Sequence, residues 1–357
     1  MATRTIDSSD ADPAGEPAAA ARIRSGAKDV ARLAGVSTAT VSRTLNMPDQ
    51  VDPDTRARVL RAAAMLRYVP HGAARSLRSR RSRMIGAVVP SFEYALYART
   101  TSALQRRFDA HGYSMVLAEH RYELATEVRV AEQLIQHGVD AFVFVGLDHD
   151  PGLYALLDDY GRPYVLTWGV DPLRRHPSIG FDNQAATHAM ARHLIALGHR
   201  RFGLLSAPLE GNDRARARGA GIRAALHEVG LALDERCVQF APISLASASQ
   251  AMHRLLALPE PPTAVLGTND VFAVGAMVAC REAGLRIPDD ISITGVDNTD
   301  LGATQTPGLT SIRTPIVEIG EAAAAQLIAR LESQACETFR TFPVEIVHRG
   351  STAPPRG

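Results

Sequence analysis

Two hydrophobic rhythms divide this chain. Before residue 70, apolar positions recur at three- and four-residue spacing in short blocks, the period of amphipathic helices. Val30, Leu33 and Ala34 make one short face, and Gly35 then permits a tight turn. Ser37 stands at an N-cap position before a second helix that is expected to run to about Leu45, with Val41 and Leu45 inward. That leaves Thr38, Ala39, Thr40, Ser42 and Arg43 facing out, a low-profile polar surface that suits entry into a DNA major groove. Asp52-Pro53 reads as N-cap and first residue of a third helix through Val59, Leu60, Ala63 and Leu66, closing a small helix-turn-helix core.

From Met84 the rhythm changes. The runs IGAVV (85–89), SMVLAEH (114–120), AFVFVG (141–146), YVLTW (164–168), FGLLSA (202–207), AVLGTN (264–269) and ISITGV (291–296) alternate with segments of helix length. Continuous apolar strands separated by helices predict parallel sheets covered on both faces. At 357 residues the chain is long enough for a headpiece and two such sheets.

Charge sharpens the division. The net charge is only +1, yet residues 28–83 carry 12 Lys+Arg against 4 Asp+Glu while residues 84–357 carry 24 against 30. A basic footprint confined to one end points to nucleic acid bound there. Lys28 is the sole lysine, so phosphate contact falls to guanidinium groups, whose forks match phosphate oxygens. The segment HGAARSLRSRRSR (71–83) sets Leu77 among five arginines, and so short and charged a stretch is not expected to hold a helix alone. Residues 1–27 are rich in Ala, Pro, Asp and Ser and are expected to be a disordered leader. Without a signal or membrane-spanning run, the chain is expected in the cytoplasm.

Catalysis finds no support. Cys237, Cys280 and Cys336 form neither a CxxC nor a disulfide framework, and no phosphate loop, nucleophile elbow or HExxH occurs. His188 and His193 lie five apart on one expected helix, which does not place them on one face, and Asp158-Asp159 and Asp289-Asp290 read as solvated pairs. No cofactor and no metal are expected.

The stretch KDVARLAGVSTATVSRTLN (28–46) closely resembles the opening signature of the lactose/galactose repressor (LacI/GalR) family, and the similarity continues along the chain. The resemblance implies an all-α helix-turn-helix headpiece (28–70), a hinge (71–83) and an α/β effector domain (84–350). That domain would have two doubly wound parallel-sheet lobes like those of periplasmic binding proteins. Lobe one would hold 84–181 and 314–341, lobe two 182–313 and 342–350, with 351–357 as a tail. Phe181-Asp182-Asn183 looks like the first crossing between lobes; LTSI (309–312), a helix near 316–332 and FPVEIVHRG (342–350) look like the returns.

Carried over by position, Thr38, Ala39 and Arg43 would meet bases, Ser37, Thr40, Ser42 and Asn46 phosphates, and Leu77 with Arg78 the minor groove at the hinge. Ala39 replaces the long polar residue of some members and offers only apolar contact. Tyr94, Asp148, Trp168, Phe181, Arg218, Asn269 and Asp297 would line an effector cleft at strand C-termini. Paired acid, amide and guanidinium groups beside aromatic faces suit a sugar, and Arg218 beside Tyr94 suits a sugar acid equally. The implied partners are near-palindromic operator DNA, a second copy of the chain and a small effector. A purine-type corepressed regulator, an activator and a stand-alone binding protein are the alternatives. Leu77→Ala is expected to weaken operator binding far more than non-specific DNA binding; equal losses in a filter-binding titration would remove the wedge role.

Overall fold

The computed structural model describes residues 26–69 and 81–356, which divide into two compact units after Arg80. The first unit contains helices α1 (Ala27–Ala34), α2 (Thr38–Asn46) and α3 (Pro53–Met65). The expected leader ended at 27, whereas α1 already starts at Ala27, because the Gly26 amide donates to Asp29 Oδ2 at 2.9 Å and closes the first turn. Val30, Ala31, Ala34, Val41, Val59, Ala62 and Ala63 form the core. Leu33 and Leu60, both expected inward, are exposed, and Ala31, Thr44 and Ala62 are buried instead. At a crossing this tight small residues fill the seam, and a leucine one position away turns to solvent.

The caps explain why three such short helices hold. Ser37 Oγ accepts from the Thr40 amide and Asp52 Oδ2 from the Thr55 amide, both at 3.0 Å, so each helix start has a satisfied orphan donor. Gly35 ends α1 at φ 65°, a conformation that only glycine adopts cheaply.

The second unit contains two six-stranded sheets. Sheet one contains β1 (Met84–Val89), β2 (Ser114–Glu119), β3 (Ala141–Val145), β4 (Tyr164–Thr167), β5 (Ser178–Gly180) and β11 (Phe339–Thr341), in the order β11-β5-β4-β3-β1-β2. Sheet two contains β6 (Phe202–Ser206), β7 (Val238–Phe240), β8 (Ala264–Gly267), β9 (Ser292–Val296), β10 (Thr310–Arg313) and β12 (Glu345–Val347), in the order β12-β10-β9-β8-β6-β7. Every pairing is parallel except β10 with β12. The three-residue strands β5, β7 and β11 are too short to register as apolar runs. They are recruited by pairing, not by pattern.

Helices α4 (Ala95–Asp109), α5 (Leu124–Gln136) and α6 (Pro151–Asp159) cover sheet one, joined by α12 (Ile316–Leu331), which packs on α4 and β4. Helices α7 (Asn183–Ala196), α8 (Asp213–His227), α9 (Leu245–Leu256), α10 (Asp270–Glu282) and the single turn α11 (Asp300–Ala303) belong to sheet two. The chain therefore passes between the lobes after β5, after β10 and again between β11 and β12. Residues 351–356, set apart as a tail, are instead tied to lobe two. Ser351 Oγ donates to the Ile293 carbonyl at 2.6 Å and accepts from the Thr310 amide at 2.8 Å, leaving no room for a loose end.

Packing between α7 and α8 fixes the base of lobe two. A methyl group on Gly221 would come within 2.1 Å of the Gln184 carbonyl oxygen and 2.5 Å of Thr187 Oγ1, both on α7. Gly221→Ala is expected to destabilise the domain by about 1–3 kcal/mol, read as a lower urea midpoint. An unchanged midpoint would show that the helices separate without penalty.

Candidate functional site

Helix α2 turns outward most of the face that its sequence predicts to be outward. Thr38, Ala39, Arg43 and Asn46 are exposed, Thr40 and Ser42 half-buried. Thr44 is buried, and its hydroxyl is satisfied within α2 by donating to the Thr40 carbonyl at 2.9 Å. Asn46 Nδ2 donates to the Ser42 carbonyl at 2.7 Å, and Ser37 Oγ lies 2.9 Å from Thr40 Oγ1. Arg43 has no hydrogen-bond or ion-pair partner among the described residues, and no acid lies on the helix to screen it. Leu77 and Arg78 lie outside the described residues.

The second site lies between the sheets, where strand C-termini from both lobes meet. Tyr94 follows β1, Trp168 follows β4, Asn269 follows β8 and Asp297 follows β9, so parallel strands deliver their next residues to one chamber. Trp168 (φ 73°) and Asp297 (φ 110°) hold left-handed backbone, rare for such side chains, costing roughly 1–3 kcal/mol each. Hydrogen bonds hold both turns: the Trp168 amide donates to the Ile179 carbonyl at 3.1 Å, the Trp168 carbonyl accepts from Asn183 Nδ2 at 2.8 Å, and the Asp297 amide donates to the Ile312 carbonyl at 2.8 Å.

Of the residues expected in the cleft, Tyr94, Trp168, Arg218, Asn269 and Asp297 line one cavity, together with Tyr97, Tyr122, Asn212, Arg214, Ala215 and Thr268. It is small, at about 30 Å³, room for about two waters. The Tyr94 hydroxyl donates directly to Asp297 Oδ2 across the interlobe gap. Outward, past Tyr94, Tyr122 and Asn212, the cleft widens into a mouth of about 1200 Å³ bordered by Glu93, Glu119, Arg121, Glu123 and Glu210.

Two expected residues are placed elsewhere. Asp148 does not reach the cavity wall, because Arg216 from the other lobe takes its carboxylate. Phe181 is fully buried behind the wall, with the Arg218 guanidinium 5.9 Å from its ring centre. The tyrosines Tyr97 and Tyr122, whose hydroxyls lie 3.2 Å apart, and Arg214 were missed by sequence reasoning. Arg214 and Arg218, four apart in RARAR (214–218), were the available signal, since residues at i and i+4 share one face of α8.

Burial governs the electrostatics. Asp297 is 2% exposed, and burial pushes its carboxyl up to about 7, against the pull of Arg218; nearby Asp270 adds to the rise, and the Tyr94 bond opposes it. Arg218 Nη2 stands 3.8 Å from Asp297 Oδ1. Tyr94 itself is held well above an ordinary phenol by burial and by Asp297. Asn269 Oδ1 accepts from the Phe272 amide at 2.9 Å, capping α10 while lining the cavity. A buried network supports the loop that carries Asp148. His149 Nδ1 lies 2.8 Å from Glu127 Oε2 and His149 Nε2 lies 3.1 Å from the Gly146 carbonyl. A carbonyl only accepts, so Nε2 bears hydrogen and the His149–Glu127 contact holds one further proton.

No three acidic, histidine or cysteine side chains among the described residues are grouped to hold a metal. No helix among them is long and apolar enough to cross a membrane.

Known proteins are similar to this chain over both of its units. Residues 27–71 match the family profile "Bacterial regulatory proteins, lacI family", and residues 191–352 match "Periplasmic binding protein-like domain". The transcriptional repressor CytR of Escherichia coli K12 is 32% identical over 330 residues, covering 91% of this chain and 95% of CytR. The lac repressor dimer bound to operator and the anti-inducer ONPF aligns with a TM-score of 0.81 at 30% identity, over 91% of this chain and 98% of that one. A complex of the regulator CelR with cellobiose aligns at 0.68 and 29% identity, over 92% and 100% of the two chains.

Asp297 sets a pH dependence. Its carboxyl holds a proton in the folded chain up to about 7, where an unfolded aspartate has lost it above roughly 4. The resulting stability is present at acid pH and lost as pH rises through about 7. The thermal midpoint is therefore expected to fall between pH 5 and 8 more steeply in the natural protein than in Asp297→Asn. Parallel profiles would contradict this.

Proposed function

The chain belongs to the LacI family of bacterial regulatory proteins and is a DNA-binding transcriptional repressor, and on that premise we propose that a sugar or sugar acid in the interlobe chamber controls its hold on operator DNA. The supporting observation is the chamber itself: four aromatic side chains with an acid, two amides and two guanidinium groups along its lining. Apolar ring faces and paired donors and acceptors are the two requirements of a polyol. The solved CelR–cellobiose complex, similar over nearly the whole chain, carries a sugar.

The mechanism follows from the two sites. A homodimer in the cytoplasm sets two α2 helices into successive major grooves of a near-palindromic operator. There Thr38, Ala39 and Arg43 meet base edges, and Ser37, Thr40, Ser42 and Asn46 position phosphates. Leu77 and Arg78 enter the minor groove between them. The effector needs more than a 30 Å³ cavity, so its arrival parts Tyr94 from Asp297 and changes the angle between the lobes. Asp148 contributes by pairing with Arg216 across the same gap, and Phe181 by backing Arg218. The genes controlled would then be those that consume the effector.

Thermal unfolding against pentoses, hexoses, sugar acids and nucleobases tests this reading. A ligand at ~100 times its dissociation constant adds ~2.7 kcal/mol to the native state, a clear rise in midpoint. A rise with a sugar or sugar acid that also releases promoter DNA is expected. A rise with nucleobases alone, accompanied by tighter DNA binding, would replace the proposal with a corepressed regulator.

A further inference from the structure

Arg214 and Arg218 both line the chamber from α8, yet they are in different states. Arg218 is engaged along its whole guanidinium edge. Nε donates to Asn183 Oδ1 at 2.8 Å, Nη1 to the Thr268 carbonyl at 2.5 Å, and Nη2 faces Asp297 at 3.8 Å. Arg214 is 5% exposed; its Nη1 donates to Asp213 Oδ1 at 2.7 Å, and the Tyr122 and Tyr97 hydroxyls lie near the guanidinium. Its Nη2 is buried with no hydrogen-bond partner among the described residues, and the same is true of Trp168 Nε1 on the same cavity wall. Two unpartnered donors, one of them charged, thus belong to residues that line the same cavity.

The surrounding backbone accommodates Arg214 specifically. A methyl group on Gly146, which follows β3, would lie 1.9 Å from Arg214 Nη1, so the loop leaves space that the guanidinium fills. The unanswered donor also points one way. Arg214 meets Asp213 through Nη1, and its other terminal nitrogen has no acceptor among the described residues. A neutral hydroxyl would answer that charged donor weakly, whereas an anionic oxygen makes the shorter and stronger charge-assisted bond.

We infer that Arg214 receives a carboxylate on the effector, with Trp168 Nε1 as the neighbouring donor, so that this chain responds to a hydroxylated acid in preference to the neutral sugar. The inference rests on the proposal that the chamber binds a polyol. It makes Arg214 the specificity residue and Arg218 a positioning residue for Asp297.

Calorimetric titration of the full chain at neutral pH with D-gluconate and D-galactonate, beside D-glucose, D-galactose and D-glucose 6-phosphate, tests it. At least one aldonate is expected to bind about tenfold or more tightly than its parent sugar. Arg214→Gln is expected to remove that preference and Arg214→Lys to keep part of it. The ranking in the natural protein needs no variant and stands even if Arg214→Gln fails to fold. Parent sugars that bind as tightly as their acids overturn the inference and leave the polyol reading intact. Preference for the phosphate ester over the aldonates overturns the carboxylate assignment. Silence from every probe overturns the inference and the polyol reading together.

Discussion

The contact between the Tyr94 hydroxyl and the Asp297 carboxylate joins two lobes across 203 positions of sequence. Asp297 is buried and Tyr94 is half-buried where the chamber opens to the mouth. A largely desolvated polar pair is worth more made than broken, and under the proposed mechanism making or breaking it would give the domain two discrete arrangements. The left-handed turn at Asp297 sets one partner of that contact, and the Asp148–Arg216 pair bridges the same two lobes.

Helix α8 explains how one element carries three tasks. Alternate arginines point in different directions on a helix. Arg214 lies buried beside the tyrosines, Arg216 reaches out to Asp148, and Arg218 braces Asp297 over Phe181. Glycine at 221 lets the same helix sit close on α7, so its arginines project from a fixed base.

Much of this was legible from residues alone, and the failures have physical causes. The caps at Ser37 and Asp52 and the long apolar strands announce themselves locally, because a cap or a doubly covered strand is determined by its own neighbours. Leu33 and Leu60 misled because two short helices that cross closely bury alanine. Strands β5, β7 and β11 exist through pairing partners far along the chain. Asp148 was placed at the cleft but not its partner: nothing in the sequence says that Arg216 would cross the gap to take it. Arg214 escaped notice because its significance is an unanswered donor, which only three-dimensional surroundings reveal.

The central claim is that chamber occupancy and operator affinity are two readings of one equilibrium. Trp168 is the only tryptophan in the chain and lies on the chamber wall, so its fluorescence reports occupancy directly. The decisive measurement is effector affinity, by that fluorescence, with and without saturating operator DNA, set against operator affinity with and without saturating effector. The account predicts that the two ratios are equal, as linkage requires. An effector that binds identically to the free and the operator-bound chain would contradict it.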